Sequence, residues 1–233
     1  VMLEGVFLSD QHNDTLLFGK SIQLNVNAFD YQKQQLDLSE LALSDLKVKM
    51  IHYKNEPDFN FQFLVDYFSS DSTSQTDSSQ HWKINYGALK LTNVDIRYQY
   101  LPTDLKVSPQ MNYDNLHLTN VSGLFTHIDF RNDTIFSDIT HLSAKEQCGI
   151  HIKDFTTKAS ISATHLQCDS VYLKTDYSLV KGTVSFKYDT WDDYTDFINK
   201  VYMKLDLKDS TSVNMKDIAY FAEDIQGFKE VFG

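Results

Sequence analysis

The sequence contains a spacing of apolar residues that an uninterrupted β-strand cannot place on one face. In LKLTNVDIRY, residues 89–98, two alternating apolar residues precede the polar pair Thr92-Asn93, and the alternation then resumes. Because successive side chains of a strand point to opposite faces, this skip would move the second group to the other face. A β-bulge, which adds a residue and bends the strand, returns both groups to one face. The spacing therefore predicts bent strands with a single apolar face.

The same spacing recurs, and turn-forming residues occupy each skip. The apolar positions of the copies are Val1/Leu3/Val6/Leu8, Leu41/Leu43/Leu46/Val48, Leu89/Leu91/Val94/Ile96, Leu166/Cys168/Val171/Leu173 and, in part, Leu116/Leu118/Val121. The skipped pairs are Glu4-Gly5, Ser44-Asp45, Thr92-Asn93, Thr119-Asn120 and Asp169-Ser170. Glycine and short polar side chains tolerate a tight bend, which supports a bulge at each skip. The copies are irregularly separated, which excludes a fixed-period solenoid.

Strand-like alternation covers most of the chain and predicts a mainly β fold. We expect a long, curved, mostly antiparallel sheet, like a trough or half-barrel, with about three short amphipathic helices. The first helix is predicted around Phe61–Phe68, with Asp58 as its N-cap, and the other two within residues 191–203 and 214–228. Core packing is a simpler explanation than a ligand-binding box for the aromatic residues Phe59, Phe61, Phe63, Tyr67 and Phe68.

A polar segment divides the predicted fold into two regions. Residues 69–80, SSDSTSQTDSSQ, contain no apolar side chain and therefore cannot contribute to a core. We expect a flexible linker there. It separates a β-meander plus helix over residues 1–68 from a curved sheet region over residues 81–233 that ends with two short helices.

The charge balance disfavours nucleic acid and anionic membrane surfaces as partners. The chain of 233 residues has 21 Lys and Arg against 32 Asp and Glu, a formal net charge of -11, and no run of basic residues. No stretch approaches the roughly 20 consecutive apolar residues of a membrane-spanning helix. No signal peptide is recognisable, so either the protein is cytosolic or the chain is a piece of a longer protein. Because Val1 already lies in a strand-like segment, we expect the second.

Catalytic and metal-binding motifs are missing, so the sequence predicts neither an enzyme nor a cofactor. His127 and Asp129 share a strand face but lack a third metal ligand, and a solvated face is the simpler explanation. The acidic stretch 189–196 lacks the spacing of a calcium loop and instead suits the start of a helix. Cys148 and Cys168 lack zinc-site spacing, and a disulfide between them in an oxidising compartment stays open.

Several segments, in their order along nearly the whole chain, carry a family resemblance. They are VFLSDQHNDTLLFGKSIQLNVN, NFQFLVDYFSS, WKINYGALKLTNVDIRYQY, HLSAKEQCGIHIKDF, LQCDSVYLKTDYSLVKGTVSFKY and STSVNMKDIAYFAED. In this order they resemble the TamB branch of the AsmA-like proteins, the translocation and assembly module family, in the versions found in Bacteroidetes. Cys148 departs from the small hydroxyl residue expected before Gly149, a mild change at a local turn.

The resemblance implies a location and partners. It implies an internal segment of a long periplasmic protein that an N-terminal helix anchors in the inner membrane. The β-rich body of such a protein is a folded trough with an apolar interior. Members are linked to outer-membrane protein assembly with an Omp85-type partner and to phospholipid movement between membranes. No catalytic residue follows from the resemblance.

Two functional hypotheses follow. In the first, the bent strands form an apolar groove for phospholipid acyl chains. The candidate lining residues are Leu89, Leu91, Val94, Ile96, Leu116, Leu118, Val171 and Leu173. The same residues could instead be covered by helices or by a second sheet. In the second hypothesis, open sheet edges dock an outer-membrane partner by strand addition.

Overall fold

The computed structural model describes residues 1–69, 83–103, 109–131, 133–190, 193, 197–221 and 231–232. The strands are β1 (Met2–Ser9), β2 (Thr15–Asp30), β3 (Gln35–His52), β4 (Lys83–Tyr86), β5 (Ala88–Tyr100), β6 (Asn115–Arg131), β7 (Thr134–Glu146), β8 (His151–Ile161), β9 (His165–Lys174), β10 (Leu179–Lys187), β11 (Tyr202–Leu207), β12 (Val213–Asn214) and β13 (Val231–Phe232). The helices are α1 (Gln62–Ser69), α2 (Phe197–Lys200) and α3 (Met215–Ile218).

Within the described ranges, one large sheet contains eleven of these strands. Its order is β1-β2-β3-β5-β6-β7-β8-β9-β10-β11, with β4 beside β3. The pairs β1–β2, β2–β3, β7–β8, β8–β9, β9–β10 and β10–β11 are antiparallel, whereas β3 runs parallel to β4 and β5. β12 and β13 form a separate two-stranded sheet. The prediction of a mainly β, mostly antiparallel fold is confirmed.

The chain divides into two compact units. Unit 1 comprises residues 1–121 with 146–148, and unit 2 comprises residues 122–145 with 149–233. The division therefore falls within β6 and β7. Apart from Ser69, which ends α1, the predicted linker at 69–80 lies outside the described residues. β3 pairs with β4 and β5, so strands that precede and follow that segment belong to the same sheet of unit 1.

The predicted bends are confirmed in the backbone, but a bulge at every skip is not, because β3 and β5 keep the same register across theirs. The second residue of each skipped pair has a positive φ, namely Gly5 at 65°, Asp45 at 49°, Asn93 at 54°, Asn120 at 53° and Ser170 at 54°. These values lie in the left-handed region, which glycine, asparagine and aspartate enter at the lowest cost. One left-handed residue within a strand changes the side to which the following side chains point.

Four of the residues that follow these bends belong to the small core. Leu46, Val94, Val121 and Val171 are each 5% exposed or less. In each case the preceding residue is the left-handed one. The bend thus turns the next apolar side chain into the sheltered face of its sheet, as the spacing predicted.

A buried polar network closes one end of unit 1. Asn60 and Ile51 are joined by two hydrogen bonds. The Asn60 backbone N–H donates to the Ile51 carbonyl, and the Ile51 backbone N–H donates to the Asn60 side-chain oxygen. The Asn60 amide and the Tyr53 hydroxyl both donate to Asp10, at 3.0 and 2.8 Å. Burial alone would raise the pKa of Asp10. The bonds from Asn60, Tyr53 and two backbone amides more than offset burial and hold the pKa below its ordinary value.

The bounds of the helices differ from those that the sequence predicts. α1 begins at Gln62, so the predicted N-cap Asp58 lies outside the helix and Phe61 precedes it. Of the helix expected within 191–203, the described residues show the single turn α2, while residues 191, 192 and 194–196 lie outside the described part. Tyr202 and Met203 belong instead to β11, because residues 202–207 pair with β10. α3 is also one turn, capped by the Asn214 side chain. The remainder of its predicted helix, residues 222–228, lies outside the described residues.

Candidate functional site

The strand register joins the apolar residues of unit 1 into rows across neighbouring strands, hereafter the apolar rows. They are Leu24–Leu41–Leu89, Leu3–Ile22–Leu43–Leu91, Val6–Gly19–Leu46 with Val94, and Leu8–Leu17–Val48–Ile96. β3 and β5 keep the same register across the bend, because Ser44 pairs with Thr92 before it and Lys47 pairs with Asp95 after it. Rows on both sides of the bend therefore lie on one face of the sheet.

Most residues of the apolar rows are only half-buried. Leu46 and Val94 are the two buried apolar side chains, and Leu3, at the sheet edge, is 46% exposed. Among the described residues, Val94 is the largest side chain that is fully buried. A core between two layers would bury larger side chains completely. Residues of the apolar rows are therefore sheltered mainly by their neighbours in the sheet.

The structure places six of the eight predicted lining residues in unit 1. Leu89, Leu91, Val94 and Ile96 belong to the apolar rows through β5. Leu116 and Leu118 lie in β6 on either side of His117. The His117 ring is 3.0 Å from the Asp95 carboxylate, on the face opposite the apolar rows. Because side chains alternate, Leu116 and Leu118 point to the apolar face.

The other two predicted residues, Val171 and Leu173, lie in unit 2. They take part in a similar set of rows there, which comprises Phe155–Leu173–Val180, Val171–Gly182–Leu207, Ala159–Cys168–Val184–Leu205 and Ile161–Leu166–Phe186–Met203. The eight predicted residues thus divide between unit 1 and unit 2. Cys168 lies within one of these rows, and burial raises the pKa of its thiol. No disulfide joins Cys168 to Cys148 in the described structure.

An aromatic cluster lies at one end of the apolar rows of unit 1. The Phe59 ring is 5.5 Å from Tyr98, 5.4 Å from Phe61 and 5.1 Å from His52, and the His52 ring is 4.8 Å from Tyr100. Packing is thus confirmed for Phe59 and Phe61; the side chains of Tyr67 and Phe68 are outside the described part. Burial raises the pKa of Tyr98. The segment that leads into α1 therefore closes this end of the apolar face.

Polar side chains link the bends of unit 1 on the opposite, outer face. The Lys20 ammonium is 3.6 Å from the Asp45 carboxylate, and the Asn93 amide donates to Asp45 at 2.6 Å. These residues, with Thr119 and Asn120, line a shallow groove on this face. Their bonds run from strand to strand along the row of left-handed residues. They connect neighbouring bent strands on the face opposite the apolar rows.

Two further left-handed residues, His127 and His141, were not predicted. Their φ angles are 52° and 51°. Their rings lie 3.0 Å from Asp138 and 3.2 Å from Asp154, each on the next strand. The predicted neighbour of His127, Asp129, instead bonds Arg131 at 2.7 Å. The side chain of His127 is 81% exposed, as expected for a solvated strand face.

No group of three or more His, Cys, Asp and Glu side chains that could hold a metal occurs within the described residues. In the same part of the chain, no helix is long and apolar enough to cross a membrane. Asp193, from the acidic stretch 189–196, accepts bonds from the backbone amides of Asp189 and Thr190. Its role in the described structure is to hold a turn.

Sequence reasoning did not identify β2 as part of the apolar face. Ile22 lies between Leu3 and Leu43 in one of the apolar rows. The signal was present, because residues 17, 19, 22 and 24 repeat the spacing of the other bent strands with Gly19 at the second apolar position. Gly19 fits there because a Cβ would come within 3.0 Å of the Leu46 side chain.

Comparison with known proteins identifies no family for this chain. No protein-family model matches it, and no curated protein matches it. The resemblance to the TamB branch therefore stays a prediction. The same holds for the periplasmic location, the inner-membrane anchor and the Omp85-type partner that the resemblance implies.

Proposed function

We propose that the apolar rows of unit 1 hold phospholipid acyl chains, without catalysing a reaction. The observation that carries this proposal is the set of half-buried apolar side chains that spans β1, β2, β3 and β5 on one face. An acyl chain on these rows removes its own surface and theirs from water. Each buried CH2 contributes about 0.8 kcal/mol, so a whole tail gains on the order of 10 kcal/mol.

The dimensions of the rows suit a single extended tail. From Leu89 to Ile96, β5 advances by roughly 23 Å at about 3.3 Å per residue. The aromatic cluster around Phe59 and Tyr98 lies beyond Ile96. An acyl chain laid along β3 and β5 would place its methyl end against these rings and its head group at the Leu89 end. The head group needs no pocket of its own if it stays in solvent.

We extend this proposal to the protein of which the chain would be a segment. The resemblance to the TamB branch supports a periplasmic, inner-membrane-anchored protein that moves phospholipid and supports outer-membrane protein assembly with an Omp85-type partner. Bent strands with one apolar face are the local structure that such a conduit requires. Repeated weak contacts with acyl chains suffice for transport, since a lipid must also leave each site.

A second candidate function is the docking of a partner protein through the sheet edges. The observation that favours it is the exposure of the edge strands β1 and β11. Met2 and Phe7 of β1 are 57% and 59% exposed. An extended segment of an outer-membrane partner could add to such an edge by backbone hydrogen bonds.

Lipid extraction followed by mass spectrometry tests the first candidate. The purified chain is expected to carry phospholipid, and Leu91→Asn, on the apolar face, should lower the molar ratio of bound lipid several-fold. Lys90→Asn provides the matched control, because Lys90 is exposed on the outer face of the same strand. Circular dichroism of both variants verifies the fold. Lipid-free wild-type protein that still captures an outer-membrane partner would favour the second candidate, and equal lipid on both variants would refute the assigned face.

A further inference from the structure

We propose that two copies of this chain pair through β11, antiparallel, about a two-fold axis at Leu205. β11 ends the strand order of the large sheet, so one of its edges has no neighbouring strand in the described structure. All six of its residues are exposed. This inference does not depend on lipid binding, since it concerns the sheet edge and not the apolar face.

The backbone of β11 has the correct phase for this pairing. The Lys208 N–H donates to the Lys181 carbonyl at 2.9 Å, in the register of the β10–β11 pairs. Hydrogen-bonded positions alternate in an antiparallel pair, so Lys204 and Asp206 also bond towards β10. Leu205 and its neighbours at positions 203 and 207 then direct their N–H and C=O groups outward. These are the groups that a two-fold axis at Leu205 would pair.

The charges of β11 complement themselves under the same two-fold axis. Lys204 of one copy lies opposite Asp206 of the second copy, and the reverse pair forms as well. These are non-hydrogen-bonded positions, where side chains of opposing strands come closest. The β10 neighbours of Lys204 and Asp206 are the uncharged Ser185 and Thr183. Neither Lys204 nor Asp206 is in an ion pair with another described residue.

The apolar rows of unit 2 also continue across this edge. Met203, Leu205 and Leu207 end these rows at β11 and are 47%, 46% and 38% exposed. In the pair, Leu205 meets Leu205 of the second copy, and Met203 meets Leu207. An edge lysine normally discourages strand addition. Here Asp206 of a second copy would lie opposite Lys204, so this lysine favours pairing with a second copy of the same chain.

A charge-swap experiment tests the pairing. In sedimentation velocity over a range of concentrations, the wild-type chain is expected to show a reversible dimer. Lys204→Asp and Asp206→Lys each place like charges opposite one another and should weaken self-association by at least about tenfold. An equimolar mixture of the two variants should form a heterodimer, because each lysine then meets an aspartate. Glu4→Lys, on the opposite sheet edge, should leave the wild-type dimer unchanged.

The mixture separates loss of pairing from loss of folding, since unfolded variants would not recover association. A monomeric wild-type chain at the highest concentration would overturn the proposal. So would a dimer that is unaffected by either single variant, or one that Glu4→Lys disrupts. Lipid content measured on the same samples tests the proposed function separately, because a dimer without lipid supports this inference alone.

Discussion

The bends of unit 1 and unit 2 arise from the same residue spacing but have different pairing geometry. In unit 1, β3 and β5 bend at the same place. The same number of residues separates the paired positions on each strand, so the register is kept. In unit 2, Gly182 pairs with Val171 and Val184 pairs with Cys168. One residue of β10 therefore lies opposite two residues of β9, a one-sided bulge.

Different groups stabilise the two kinds of bend. In unit 1, Asn93 and Asp45 are bonded side chain to side chain across two bent strands. In unit 2, the Thr157 hydroxyl donates to the Asp169 carbonyl at 2.8 Å, and Gly182 has a φ of 146°. A bend that is shared by its neighbours keeps the ladder in register. A bend in one strand alone requires a glycine or hydroxyl residue in the next.

The largest effect is expected for Gly182→Ala. Its Cβ would overlap the Asp206 carbonyl oxygen and come within 2.9 Å of the Leu207 Cα, and its φ is strained for alanine. We expect a loss of about 4 kcal/mol in the free energy of unfolding, from strain and overpacking together. Urea denaturation measures this value.

Gly5→Ala provides the matched control in unit 1. Gly5 also has a positive φ, but a Cβ there would meet no atom within 4 Å. Backbone strain alone should cost about 1 kcal/mol. Equal losses for the two variants would contradict the distinction between the two bends.

A smaller difference is expected between Asn93→Val and Ser170→Val. Both variants put a β-branched residue at a φ of 54°, which costs roughly 2 kcal/mol. Asn93→Val also removes the bond to Asp45, so it should be the more destabilising by about 0.5 kcal/mol. Thermal unfolding of both variants gives the comparison. A larger loss for Ser170→Val would show that the side-chain links of unit 1 add no stability.

The last prediction concerns the stability of the fold in acid. The bonds to Asp10 hold its pKa below the unfolded value, so its contribution to stability is present above about pH 4 and is lost as the pH falls through the folded pKa. Asp10→Asn should cost on the order of 1 kcal/mol at neutral pH. It should also flatten the fall in unfolding midpoint below pH 4. In unit 2, the Lys153 side chain lowers the pKa of Asp176, but that carboxylate is exposed, so Asp176→Asn should change the acid profile less.

The bends could be predicted from local sequence patterns, whereas the long-range pairing of strands could not. Asn93 and Ser170 could be placed because the spacing of apolar residues and the residue types at each skip agree. His127 and His141 could not, since histidine gives no turn signal and their bends depend on Asp138 and Asp154 of other strands. At Tyr202 and Met203, the pairing of β11 with β10 overrides the helical spacing.

The sequence predicted which residues of each strand face the candidate site, but it did not predict which strands lie side by side. The spacing identified Leu91 and Val171 as residues of an apolar face, but the division of the predicted residues between two units depends on strand order. The parallel pairing of β3 with β5 also has no local signal. It joins residues on either side of a segment that the sequence suggested as a boundary.

That parallel pair also has a consequence for the order of folding. β1, β2 and β3 are joined by short turns and can form from contacts that are local in sequence. β5 pairs with β3 only after the chain between His52 and Ala88, which includes α1 and β4, has brought it back to run in the same direction. Contacts over such a sequence distance form slowly. Until they form, the apolar edge of β3 is open, and the nascent chain is most prone to aggregation at that stage.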